Sequence, residues 1–186
     1  MKNISMTVSA GIFCLGIAAP ALAGTDSVTM TFESVIEAGT CAAQIQNGAG
    51  TVINELNFGN VYKSDLMNKS RVEPFKLVFS NCSGVVKANY SATKSAGSGC
   101  SGPSADGPSF TGTGTATAVA VELWKGEADN GSALVCSNPP PQNVSITSGG
   151  ASVDMNARMV IAYQRSIDNV TAGDTTIPLT FAVTYE

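Results

Sequence analysis

The chain has 186 residues, no histidine, only 13% charged residues and a net charge of −4. That balance argues against nucleic acid or an anionic membrane surface as a partner. Without histidine, Ser-His-Asp and Cys-His catalytic sets and histidine-rich metal sites cannot be built, so neither enzymatic activity nor a cofactor is expected.

Residues 1–23 read as an export signal. Lys2 begins it, residues 12–19 form an apolar run too short to span a bilayer, and Ala21-Leu22-Ala23 is a small-x-small cleavage site. A lipoprotein reading of Cys14 is disfavoured, because the Gly11-Ile12-Phe13 before it lacks the small residue next to the cysteine. Cleavage after Ala23 leaves nine basic against fourteen acidic residues, a net charge of −5, in 163 residues that suit one domain. Gly, Ser, Thr, Ala and Val dominate and no long stretch keeps a helical period, which is an all-β composition.

The exported chain opens on an alternation of Val28, Met30, Phe32, Ser34 and Ile36 with Thr29, Thr31, Glu33 and Val35, the two-residue period of a strand. A short strand is expected over residues 52–61. A core strand follows over 72–82, where Phe75, Leu77 and Phe79 alternate, and another carries Val86, Ala88 and Tyr90. Residues 91–114 are rich in Gly, Ser and Pro and read as a long loop tied down by Cys100. Residues 115–124 form a strand with Val119, Val121 and Leu123 on one face, and Asn130-Gly131 marks a turn. Pro139-Pro140-Pro141 reads as a loop, Val144 and Ile146 as a short strand, and Gly149-Gly150 as a turn. A strand over 157–165 carries Met159, Ile161 and Tyr163.

The last segment alternates to the final residue, with Ile177, Leu179, Phe181, Val183 and Tyr185 on one face, ending at Glu186. Strands at this spacing predict a β-sandwich. Both ends are written as strands, and each needs a partner for its backbone. Four cysteines remain after cleavage: Cys41, Cys82, Cys100 and Cys136. In an exported chain they read as disulfides. Of three possible connectivities we favour the least nested, Cys41–Cys82 with Cys100–Cys136.

Several of these segments, taken in order, resemble pilin subunits of bacterial chaperone–usher fimbriae. They are the arm ending at Cys41, Leu56-Asn57-Phe58-Gly59-Asn60-Val61, Phe75 to Asn81-Cys82, Gly173 fourteen positions from the end, and the penultimate Tyr185. The resemblance implies an incomplete immunoglobulin-like β-sandwich lacking its last strand. Residues 24–40 would be a donor-strand extension and residues 41–186 the pilin domain. The donor strand would present Val28, Met30, Phe32, Ser34 and Ile36. The groove edge, where a periplasmic chaperone docks, would be Gly173, Ile177, Leu179, Phe181, Val183, Tyr185 and Glu186. Further partners implied are an outer-membrane usher and neighbouring fimbrial subunits, with the fimbria on the bacterial surface supporting adhesion.

Two features depart from the family. Ser34 stands where many pilins carry glycine, and the pair Cys100 and Cys136 is not a general pilin feature. Two other readings carry less weight. A sugar-binding adhesin would use Trp124, which sits in a strand beside Glu122 and Lys125 as a packing residue would. A self-complete sandwich would pair the arm within its own domain. A carboxylate pair of Glu122 with Glu127 or Asp129 reads as solvated acidic residues near a turn.

Overall fold

The computed structural model describes Ser34 and residues 37–186. The expected signal segment and Val28, Met30, Phe32 and Ile36 of the arm lie outside the described residues, whereas Ser34 is exposed. In chain order the elements are β1 (Thr40–Asn47), β2 (Val52–Ile53), α1 (Lys63–Asn68), β3 (Val72–Ser83), β4 (Lys87–Lys94), β5 (Gly99–Cys100) and β6 (Phe110–Thr111). They continue with β7 (Thr113–Gly114), β8 (Val119–Lys125), β9 (Ser132–Leu134), β10 (Gln142–Ser145), β11 (Ala151–Ile161), β12 (Thr175–Thr176) and β13 (Leu179–Tyr185).

The large sheet runs β2-β1-β3-β11-β8-β6-β5, with β9 also on β8. The small sheet runs β10-β4-β13, and β7 and β12 make a separate ribbon. The two-residue period decides what lies between the sheets. Phe75, Leu77 and Phe79 of β3, Met155 and Met159 of β11, Val121 and Leu123 of β8, and Ala88, Tyr90 and Ala92 of β4 are all buried in one cluster. Phe79 and Tyr90 meet across the layers with ring centroids 6.5 Å apart. On the outer face the register pairs Asp154 with Lys76, and their side chains form an ion pair at 3.0 Å.

The expected β-sandwich is present, and both disulfides are the favoured ones. Cys41–Cys82 joins the start of β1 to the end of β3, and Cys100–Cys136 joins β5 to the segment after β9.

Several element boundaries differ from the sequence reading. Only Val52–Ile53 of residues 52–61 is a strand. The rest is irregular, because Arg71 donates from Nε (2.7 Å) and Nη2 to the Phe58 carbonyl and takes the place of a ladder. The unexpected α1 begins where the Asp65 carboxylate accepts the Tyr62 N–H at 2.9 Å, a side-chain cap that needs no helical period. Residues 91–114 are not a free loop, since β4 continues to Lys94 and β5, β6 and β7 follow. β8 starts only at Val119.

β11 begins at Ala151, earlier than expected, and ends at Ile161. Gln164 has φ 57° and Arg165 N–H bonds the Ala162 carbonyl at 3.0 Å, so the chain turns and leaves Tyr163 exposed. Val86 lies outside β4 and is exposed as well.

Candidate functional site

β4 and β13 show the same face to the core but are buried to different depths. The register pairs Ala88 with Tyr185, Tyr90 with Val183, and Ala92 with Phe181. The three β4 residues are at most 1% exposed. Their β13 partners, and Leu179 beside them, remain half-buried. The difference lies in the neighbours: β4 has β10 on one side and β13 on the other, whereas β13 pairs only with β4 among the described residues. A row of backbone donors and acceptors and an apolar stripe therefore lie along one open edge.

Beside that edge is a groove of about 1250 Å³. Its floor is Phe75, Val121, Leu123 and Met159, with Leu179 and Phe181 on one wall and Ile45 of β1 opposite. Phe75 and Phe181 meet with ring centroids 6.2 Å apart. Leu56 and Phe58 line it from the irregular segment that Arg71 holds. The sequence predicts a strand through these two residues. Their apolar i, i+2 spacing signalled burial correctly, but nothing in it signalled that the backbone would bond to a side chain.

The two ends of β13 are held differently. At one end Tyr185 Oη donates to the Cys41 carbonyl at 3.2 Å, tying β13 to β1 next to the Cys41–Cys82 disulfide. Glu186 extends the pairing through main-chain bonds with Val86 and Lys87. Its carboxylate accepts from Lys87 at 2.6 Å and Asn89 at 2.5 Å, and these two bonds hold its pKa below the usual glutamate range. At the other end Gly173 and Ile177 line the groove, where Gly173 packs on the backbone of Thr115 and Ala116. Thus Gly173, Ile177, Leu179 and Phe181 line the groove, while Val183 and Tyr185 continue the same face.

The acidic residues near the β8–β9 turn are used elsewhere. Arg158, 3% exposed, donates to Glu122 at 3.0 Å and to Asp129 at 2.5 and 2.8 Å, and its guanidinium lies 5.7 Å from the Trp124 ring centre. The Arg158 bond holds the Asp129 carboxyl below its usual range. Both carboxylates serve as counter-ions, and one face of Trp124 is covered by the arginine. Among the described residues no His, Cys, Asp and Glu group could hold a metal ion, and no helix is long and apolar enough to cross a membrane.

No family model matches the chain. It is 38% identical over 175 residues to the Uncharacterized fimbrial-like protein YadL of Escherichia coli (strain K12), a match covering 88% of this chain and 86% of that one. The crystal structure of the P pilus rod subunit PapA superposes with a TM-score of 0.55 at 16% identity, covering 78% of this chain and 99% of that one. A chaperone–usher pilus structure gives 0.54 at 15% identity, covering 90% of this chain and all of that one. At such identities the two structures speak for the fold, and the curated relative speaks for the family. The chain has the immunoglobulin-like sandwich fold of these pilus subunits and belongs to the family of fimbrial-like proteins.

Proposed function

We propose that this fimbrial subunit polymerises by donor-strand exchange. Residues 24–40 would enter the groove of a neighbouring subunit, and residues 41–186 would present the groove that receives the next arm. The observation that carries the reading is the open edge of β13, with Leu179 and Phe181 half-buried on the groove and Val183 and Tyr185 continuing the same half-buried face. Strand addition to an exposed sheet edge supplies main-chain hydrogen bonds, with alternate side chains entering pockets. Chaperone–pilin complexes are a standing example of that mode. The arm matches it in sequence, since Val28, Met30, Phe32, Ser34 and Ile36 fall on one face of an extended strand.

On this reading the chain is exported, and a periplasmic chaperone covers the groove first. The usher at the outer membrane then exchanges the chaperone for the arm of the following subunit, and the surface fimbria supports adhesion.

The test is a pair of arm variants. Phe32→Asp would place a charge in an apolar groove, a cost of several kcal/mol. A one-residue slip would turn the whole apolar set outward. Phe32→Asp subunits should therefore fold and bind the chaperone but fail to polymerise, while Thr31→Asp subunits should polymerise. Unfolding of the Phe32→Asp subunit would assign the arm to its own domain and sink the proposal.

A further inference from the structure

The segment between β4 and β8 has one foot in each part of the fold. In the large sheet, β6 pairs with β8 through Phe110 and Val121, and Phe110 is wholly buried. The buried Ser101 and Ser109 join hydroxyls at 2.7 Å, and Cys136 N–H bonds the Pro108 carbonyl at 2.8 Å. The Cys100–Cys136 disulfide, with Cα atoms 5.4 Å apart, fixes this foot.

The other foot grips the approach to β13. β7 pairs with β12, Thr175 opposite Gly114 and Thr176 opposite Thr113. Ala116 N–H bonds the Asp174 carbonyl at 3.0 Å, and Thr115 Oγ1 bonds the Asp174 carboxylate at 2.5 Å. Thr117 bonds Thr171 Oγ1 at 3.0 Å and the Asn169 carbonyl at 2.9 Å. The two backbones approach so closely that a Cβ at Gly114 would overlap the Asp174 carbonyl. One at Gly173 would overlap the Thr115 hydroxyl and the Ala116 nitrogen. Ala116 and Val119 on one side, and Gly173 and Ile177 on the other, line the groove between.

An apolar gap between two sheets tends to close unless something spans it. We propose that the disulfide-bonded insert is a brace that positions the Ile177–Phe181 wall, so that the groove is already formed when an extended strand with alternating apolar residues arrives. This deepens the strand-acceptor reading and rests on it. Without the disulfide, the first foot relies on short pairings, and the segment regains the entropy of an open loop. Pre-formation then has to be supplied by the incoming strand, which lowers its affinity.

Two variants of the chain from residue 24 onward test the brace: Cys100→Ser with Cys136→Ser, and Gly114→Ala, which attacks the other foot without touching a cysteine. Hydrogen exchange is followed at residues 112–117 and 173–178, with binding of a synthetic peptide of residues 24–40 as the second readout. Both variants should exchange roughly tenfold faster or more in these segments while β3 and β11 stay protected. Both should bind the peptide roughly tenfold more weakly or worse. Unchanged exchange overturns the brace, and faster exchange with unchanged peptide binding overturns its positioning role. A parent chain that takes up no peptide refutes the strand-acceptor reading and the positioning role with it. That outcome differs from a parent and variants that bind alike.

Discussion

Phe181 offers the most direct measure of how much of the core is left unfinished. In β3 the wholly buried Phe79 is an ordinary core phenylalanine, for which truncation to alanine costs about 3–5 kcal/mol. Phe181 faces the same interior but is half-buried, and its one aromatic neighbour among the described residues is Phe75. Phe181→Ala should thus cost the free subunit about half as much, ~2 kcal/mol, including the loss of the Phe75 contact. Filling the groove completes the burial, so the same substitution should cost the complexed subunit the full ~3–5 kcal/mol. The difference of ~2 kcal/mol corresponds to roughly thirtyfold weaker peptide binding. Urea unfolding of the parent, Phe79→Ala and Phe181→Ala chains, with and without a saturating peptide of residues 24–40, measures both quantities. If Phe181→Ala destabilises the free subunit as much as Phe79→Ala, with no further loss when peptide is present, the unfinished-core argument is refuted.

Other expectations are narrower. Tyr90 has a buried hydroxyl with no hydrogen-bond partner among the described residues, and burial pushes its pKa up to about 12, so Tyr90→Phe should leave stability unchanged or raise it by about 1 kcal/mol in a thermal melt. The Asp129 carboxyl is held below its usual range by Arg158, so its contribution to stability is complete at neutral pH and fades as pH falls through and below the ordinary aspartate range. Asp129→Asn should flatten that part of the acid-unfolding profile measured by circular dichroism, and an unchanged profile would count against the coupling. Arg71→Met should release the Phe58 carbonyl, cost about 1 kcal/mol and speed hydrogen exchange across residues 54–62, and unchanged exchange there would show that the apolar contacts alone hold the segment.

How far the sequence discloses this fold depends on where each backbone finds its partners. β3 and β13 were legible because one face of each meets the core and the other does not, so Phe75-x-Leu77-x-Phe79 and Leu179-x-Phe181-x-Val183 write the period openly. The paired disulfides followed from chain order. β1 was hidden: Thr40–Asn47 reads Thr-Cys-Ala-Ala-Gln-Ile-Gln-Asn, with no clean alternation, because it flanks the groove and buries little. The brace was hidden for a different reason. Its small polar residues look like a loop, yet glycines allow the close approach of β7 to residues 173–176, and that contact joins segments about sixty residues apart. The strand β13 was legible, whereas the wall made by Leu56 and Phe58 depended on an arginine side chain thirteen residues away from Phe58.

The open edge of β13 also bears on how long an assembled fibre persists. On the strand-exchange reading the last piece of each subunit's core belongs to another molecule, so separating two subunits reopens a core rather than parting two finished surfaces. Dissociation then resembles unfolding, with a barrier set by apolar contacts and a ladder that must be lost together. Such a joint has a lifetime governed by a rate rather than by subunit concentration. Before assembly the reverse holds, and the lone subunit gains stability only in proportion to the strand available to it. On the same reading, an edge that pairs with only one described strand would make the free subunit dependent on company and the polymer indifferent to dilution.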